Sequence, residues 1–126
     1  GVKAQNIILG HLDQNPDFDL HVDLIKQGAF LGYDSIPKTK YNTKDRAIEF
    51  IVALAKKQLH THILLSGDFA RKDYYLGFGG KPGLGYLLGE FKDELSKVLD
   101  DEGLNTQQII ADLFIHNPAK ALSFRK

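Results

Sequence analysis

A histidine and an aspartate each follow a short apolar segment of this sequence, and both side chains can bind a metal ion. His11 follows the run Ile-Ile-Leu-Gly, and Asp68 follows Ile-Leu-Leu-Ser-Gly. Imidazole and carboxylate groups suit zinc and similar divalent ions. A carboxylate there can also accept a proton from water that attacks a substrate. His11 and Asp68 are therefore candidate metal ligands, and Asp68 is also a candidate catalytic residue. The alternative is a buried, hydrogen-bonded histidine and an aspartate that caps a turn.

Basic and phenolic side chains form a second candidate site. Lys38 and Lys40 follow another apolar segment, and Arg71, Lys72 and Tyr74 come shortly after Asp68. A guanidinium, an ammonium and a phenol can together bind an anion such as a phosphate. The alternative is an ordinary solvated surface.

Two further motifs point to chemistry less strongly. His60-Thr61-His62 has the alternation of a metal-binding pair on a strand, but it precedes its apolar segment. It is therefore expected at the amino-terminal edge of a sheet, where a structural role is favoured. The glycines between positions 77 and 85 do not match nucleotide-binding fingerprints, because Pro82 interrupts both patterns. We expect these glycines to let a long loop fold tightly.

Hydrophobic patterning predicts the elements that position these residues. Strands are predicted over 6–10, 29–34 and 62–66, the first of them buried. Asn15 is the predicted cap of the first helix, with Pro16 at its first position, and Asn42 or Thr43 begins the second, which ends near Leu59. Further helices are predicted over 84–99 and 106–114, and a short one begins at 117–118.

Strands that alternate with helices imply an α/β fold with parallel strands and right-handed crossovers. Ligands of such folds bind at the carboxyl ends of the strands, which gives weight to His11, Asp34 and Asp68. If the three strands are neighbours, the backbones of His11 and Asp68 lie about 9 to 10 Å apart, close enough for both side chains to reach one ion. The connection over 69–82 is long for a compact domain, which is typical of a functional loop.

Composition excludes several classes of protein. The 126 residues include sixteen basic and sixteen acidic side chains, so no net charge attracts the molecule to nucleic acid or to a membrane. No apolar run could span a bilayer and no signal peptide is recognised, so we expect a soluble, unexported, cytoplasmic protein. The absence of cysteine fits a reducing compartment. The absence of methionine leads us to expect a piece of a longer chain, with residues 1–126 forming part of one domain.

Five segments together give the chain a resemblance to a known family. They are IILGHLDQNPD at 7–17, GAFLGYD at 28–34, ILLSGD at 63–68, YLGFGGKPGLGYLL at 75–88 and HNPAKA at 116–121. In order and spacing the chain resembles the carboxyl-terminal half of phosphotriesterase-related proteins of the amidohydrolase superfamily. The resemblance implies that residues 1–126 are strands six to eight of a TIM (β/α)8 barrel.

The resemblance also implies a function. Members carry two divalent metal ions, usually zinc, and a metal-bound hydroxide attacks a lactone or an ester. His11 matches a ligand of one ion, and Asp68 matches a ligand of the other that also moves the proton. The segments at 70–75 and 79–83 resemble those of lactonase-like members, which suggests a phosphorylated sugar lactone as substrate. Its phosphate is expected to contact Lys40, Arg71 and Tyr74, and Lys38 is a close rival to Lys40.

The remaining metal ligands of this family have no counterpart in the chain. We therefore expect the chain alone to be inactive and to need a partner, either the amino-terminal half of the barrel or a second copy. Apart from these, the expected partner is a small-molecule substrate. The alternative hypothesis is a non-catalytic α/β module that self-assembles or binds a phosphorylated metabolite.

Overall fold

The computed structural model describes residues 1–123, which form three parallel strands and five α-helices, with a long connection between the third strand and the third helix. The strands are β1 (Ile8–Leu9), β2 (Phe30–Tyr33) and β3 (Ile63–Leu65). They lie side by side in chain order, with Ile8 opposite Phe30 and Leu31 opposite Ile63. The predicted parallel α/β arrangement is therefore confirmed.

The helices are α1 (Phe18–Lys26), α2 (Thr43–Lys56), α3 (Lys92–Asp101), α4 (Thr106–Ala111) and α5 (Asn117–Leu122). Apolar residues of α1, α2, α3 and α4 form one core with the alternate side chains Leu31 and Tyr33 of β2. Because successive strand residues point to opposite faces, Phe30 and Gly32 lie on the other side of the sheet. Among residues 1–123, no helix is long and apolar enough to cross a membrane.

The first strand differs from its prediction. It is two residues long rather than five, and its residue Ile8 is 46% exposed, so the prediction of a buried strand is wrong. β1 pairs only with β2 and forms one edge of the described sheet, so no strand lies on its other side. The fully buried strand is β2, which has a neighbour on each side.

The beginning of the first helix also differs from its prediction. The cap is Asp17 rather than Asn15, and its carboxylate accepts a hydrogen bond from the backbone N–H of Leu20. Asn15 instead accepts a hydrogen bond from the N–H of Asp17, so it shapes the turn before the helix. Both residue types are good caps, but Asn15 ends the turn over 12–14, and Asp17 occupies the cap position of the helix.

The last predicted helix does not begin independently. α4 and α5 are joined by a π-helical segment, Asp112–His116, and the backbone stays helical at the junction. Asn117 does not cap α5 with its side chain. Its buried amide donates hydrogen bonds of 2.9 Å to the carbonyl oxygens of His60 and Ile63, which ties this helix to the start of β3.

Candidate active site at the carboxyl ends of the strands

His11 directly follows β1 with an exposed ring and a left-handed backbone. Its φ is 59°, and 57% of its side chain is exposed, so the alternative of a buried histidine is wrong. The ring atom Nδ1 lies 2.7 Å from Oδ1 of Asp34, and the backbone N–H of His11 donates to the same oxygen at 2.9 Å. A proton on Nδ1 directed at this carboxylate leaves Nε2 free to act as a ligand.

Two glycines provide the space for the Asp34 carboxylate. A Cβ atom at Gly10 or at Gly32 would lie 3.1 Å from Oδ2 of Asp34, a closer approach than most real contacts of this kind. Asp34 was predicted at a strand end, without a role of its own. The structure makes Asp34 the group that orients His11, and the flanking glycines are the sequence signal for it.

A buried carboxyl lies beneath this pair. Oδ2 of Asp13 accepts a hydrogen bond of 2.7 Å from the backbone N–H of Ser35, the residue after Asp34. Burial raises the pKa of Asp13 to about 6. Its Oδ1 has no hydrogen-bond partner within residues 1–123. Asp13 thus connects the turn after His11 to the end of β2.

Asp68 is paired with a lysine from the neighbouring loop. It follows β3 with a left-handed φ of 45°, and its Oδ2 accepts a hydrogen bond from Nζ of Lys38. This hydrogen bond lowers the pKa of Asp68 and raises that of Lys38. His11 and Asp68 both follow strands of the same parallel sheet, at its carboxyl-terminal edge. The side chain of Asp68 bonds to Lys38, whereas a turn cap would bond to nearby backbone.

The arrangement fits part of a metal site. His11 offers an oriented ring nitrogen and Asp68 a half-exposed carboxylate, which are suitable donors for zinc. A site of this kind needs three or four protein ligands. In the part of the chain that the structure describes, no three His, Cys, Asp or Glu side chains come together as a metal site. The chain thus supplies two donors, which suits a shared site.

The predicted anion-binding residues line one open cleft next to Asp68. Its volume is about 530 Å³, and Lys40, Arg71 and Tyr74 all contribute to its wall. The structure also adds Lys81, which the sequence analysis did not assign, and shows that Lys38 lines the same cleft. Lys72 is exposed but is not part of the wall.

The long loop over 69–82 is held by its own hydrogen bonds. The backbone N–H of Lys81 donates to the carbonyl of Asp73 at 2.8 Å, and that of Gly83 donates to Tyr74 at 2.8 Å. A Cβ atom at Gly80 would lie 2.1 Å from the carbonyl oxygen of Asp73, so this close approach requires glycine. The prediction that the glycines permit a tight loop is confirmed.

The histidines at 60 and 62 lie at the opposite edge of the sheet and point to different partners. Nε2 of His60 lies 2.9 Å from Asp112, whose other oxygen lies 2.9 Å from Nδ1 of His116. The His62 ring packs against Phe30 at 5.1 Å between centroids. His60 attaches the helical segment that contains Asp112, and His62 packs on β2, which agrees with the structural role that was favoured.

The parallel sheet carries His11, Asp34 and Asp68 at one edge, and helices pack on the sheet. This arrangement defines an α/β protein with a polar site at the ends of its strands. The model of the phosphotriesterase family matches residues 1–122. The chain therefore belongs to the phosphotriesterase family.

Relatives of known name agree with this assignment. A phospho-furanose lactonase of Mycoplasmopsis agalactiae is 34% identical over 98% of this chain and 35% of its own length. A lactonase from Listeria monocytogenes, solved by crystallography, has a TM-score of 0.94 and 32% identity over 99% of this chain and 38% of that structure. The phosphotriesterase homology protein of Escherichia coli, complexed with phosphate in its active site, has a TM-score of 0.84 and 28% identity over 95% of this chain and 39% of that structure. The chain spans about a third of the length of the curated relatives it matches.

Proposed function

We propose that this chain is part of a metal-dependent hydrolase that opens a lactone or ester carrying a phosphate group. The observation that carries the proposal is the contact between Asp68 and Lys38, because Lys38 also lines the cleft that contains Lys40, Arg71 and Tyr74. A reacting carbonyl could therefore lie near Asp68 while a phosphate some atoms away lies among the cations.

His11 and Asp68 would hold the metal ions, which we expect to be two zinc ions. When bound, such a centre activates water and polarises the carbonyl group under attack. Asp34 keeps the ring of His11 in the orientation and tautomer that a ligand needs. Asp68 would accept a proton at its carboxylate, which like other aspartates is ionised at neutral pH.

The cleft selects the other end of the substrate. Arg71 can bind a phosphate through two parallel N–H donors, Lys40 adds a second positive charge, and Tyr74 adds a hydroxyl donor. Binding energy from this remote phosphate would orient the reacting bond at the strand ends. The names of the relatives from Mycoplasmopsis agalactiae and Listeria monocytogenes support a lactone as substrate.

The ligands that complete the centre would come from an amino-terminal part of the same barrel. We propose that β1, β2 and β3 are its last three strands, as the resemblance of the sequence implies. The matched region covers less than half of the solved relatives, which leaves room for the other strands. An apolar groove next to β3, lined by Leu65, Leu87 and Leu88 among others, is a surface that such a part would cover. A second copy of this chain is the alternative occupant. A cytoplasmic location is proposed on composition alone.

The test is hydrolysis by the intact, metal-loaded protein of matched lactones with and without a phosphate. Asp68→Asn should lower kcat for both by about 100-fold or more, because the proton acceptor is lost. Arg71→Met should raise KM for the phosphorylated lactone by about 10-fold to 100-fold and leave the other lactone unchanged. Lys72→Met is the matched control, since it removes an equal charge outside the cleft. Absence of turnover of lactones, esters and phosphotriesters by the wild type would contradict the proposal.

A further inference from the structure

Lys38 takes part in both halves of the candidate site. Its ammonium group donates to Oδ2 of Asp68, and its side chain lines the cleft that also contains Lys40 and Arg71. Both members of the pair are partly exposed, at 22% for the Lys38 side chain and 34% for that of Asp68. They are therefore free to exchange partners without disturbing the core.

The other cations of the cleft have different neighbours. Arg71 lies 3.4 Å from the carboxylate of Asp73 on its own loop, and Lys40 lies over the ring of Tyr41 at 5.1 Å. Neither forms an ion pair with a strand-end residue among residues 1–123. Lys38 is thus the cation in the described cleft that links the anion site to a candidate metal ligand.

An ammonium group and a divalent cation compete for the same carboxylate oxygen. While Lys38 binds Asp68, its positive charge is neutralised and adds little to the attraction of a phosphate. When a metal ion binds Asp68, the two positive charges repel each other and the lysine loses its partner. Its flexible four-carbon stem can then carry the ammonium group into the cleft that it already lines.

We propose that Lys38 is an exchangeable partner that binds Asp68 in the metal-free protein and binds the phosphate of the ligand once metal occupies Asp68. This inference rests on the proposed function. Metal binding and phosphate binding are then coupled, and by linkage each strengthens the other. This exchange would make the metal-loaded protein bind the phosphorylated substrate more tightly than the metal-free protein does.

The first test measures zinc affinity of the intact protein by competition with a chromophoric chelator, without substrate. Lys38→Met should bind zinc about threefold to tenfold more tightly than wild type, because the competing cation is gone. Lys72→Met, which removes an equal charge from a neighbouring loop, should leave the affinity unchanged. Unchanged or weaker zinc binding by Lys38→Met would overturn the inference.

The second test measures the affinity for inorganic phosphate by calorimetry, with and without zinc. Zinc should strengthen phosphate binding in wild type more than in Lys38→Met, by about threefold to tenfold. An equal gain in both proteins would overturn the inference.

If Arg71→Met and Lys40→Met also bind phosphate normally and Asp68→Asn binds zinc normally, the proposed function itself fails. If those variants lose binding and Lys38→Met behaves as wild type, only the role of Lys38 is wrong.

Discussion

At the scale of single residues, the candidate site depends on groups that orient others. Asp34 fixes the ring of His11 through one oxygen that accepts from both the ring and the backbone N–H. Gly10 and Gly32 leave the space in which this carboxylate lies. The neighbouring Asp13 holds the backbone that follows Asp34. The ligand geometry of His11 is therefore determined by residues that need not touch a metal ion.

Asp34→Asn tests this dependence. The amide has the same shape but accepts the proton of the imidazole less strongly, so zinc affinity of the intact protein should fall about 10-fold to 100-fold. Chelator competition measures the change, and a thermal melt checks that the variant is folded. Zinc affinity equal to that of wild type would show that Asp34 does not orient His11.

His21 provides a pH-dependent contribution to stability away from the site. It is fully buried, its Nδ1 lies 2.7 Å from the hydroxyl of Tyr33, and burial lowers its pKa below the ordinary value of 6.5. Below that pH the unfolded chain binds a proton that the folded chain excludes, so acid favours unfolding. The free energy of unfolding of wild type, relative to His21→Asn, should therefore decrease as the pH falls from about 7.5 to about 5. Denaturant titrations at several pH values measure the difference, and a constant difference would contradict the prediction.

At the scale of elements, the loop after β3 acts as one unit. Its backbone hydrogen bonds join Asp73 to Lys81 and Tyr74 to Gly83, so the two sides of the loop hold each other in place. Arg71, Tyr74 and Lys81 reach the cleft from this unit. The shape of the cleft thus depends on the close approach of Gly80 to the backbone of Asp73.

Gly80→Ala should disturb the cleft and leave the metal ligands in place. The added Cβ would lie 2.1 Å from the Asp73 carbonyl oxygen, so the loop must shift. Phosphate affinity measured by calorimetry should fall about tenfold, the size of one lost charge-assisted hydrogen bond, while zinc affinity should not change. Gly77→Ala is the matched control, because a Cβ there has no neighbour within 4 Å among the described residues. Equal phosphate binding by both variants would contradict this role of Gly80.

At the scale of the whole molecule, the described chain has surfaces that a complete barrel would cover. β1 and β3 form the two edges of the described sheet, and exposed leucines lie along the groove beside β3. Leu84, Leu88 and Leu122 are between 63% and 70% exposed. Unpaired strand edges and apolar patches of this kind favour association.

The isolated 126-residue chain should therefore self-associate at micromolar concentration. Leu88→Lys places a charge in the groove and should shift the distribution towards monomer. Sedimentation velocity over a concentration series measures this. Lys92→Glu offers a control, since it changes a charge on the same helical segment outside the groove. A monodisperse wild-type monomer would contradict the prediction.

The sequence by itself determined the order of strands and helices, the parallel sheet and the edge at which polar residues collect. These features follow from local patterns, because a short apolar run that ends in His11 or Asp68 specifies both a strand and its carboxyl end. Five sequence segments, at 7–17, 28–34, 63–68, 75–88 and 116–121, also pointed to the family to which the chain belongs.

Only the tertiary structure decided which polar groups bind one another. It paired Lys38 with Asp68 and His11 with Asp34, and it brought Lys81 into the cleft. It also made Asp17 the cap of α1 in place of Asn15. These choices depend on distances between residues far apart in the chain, or on the path of a turn. Residue type restricts such pairings, whereas the packing of strands and loops in three dimensions selects among them.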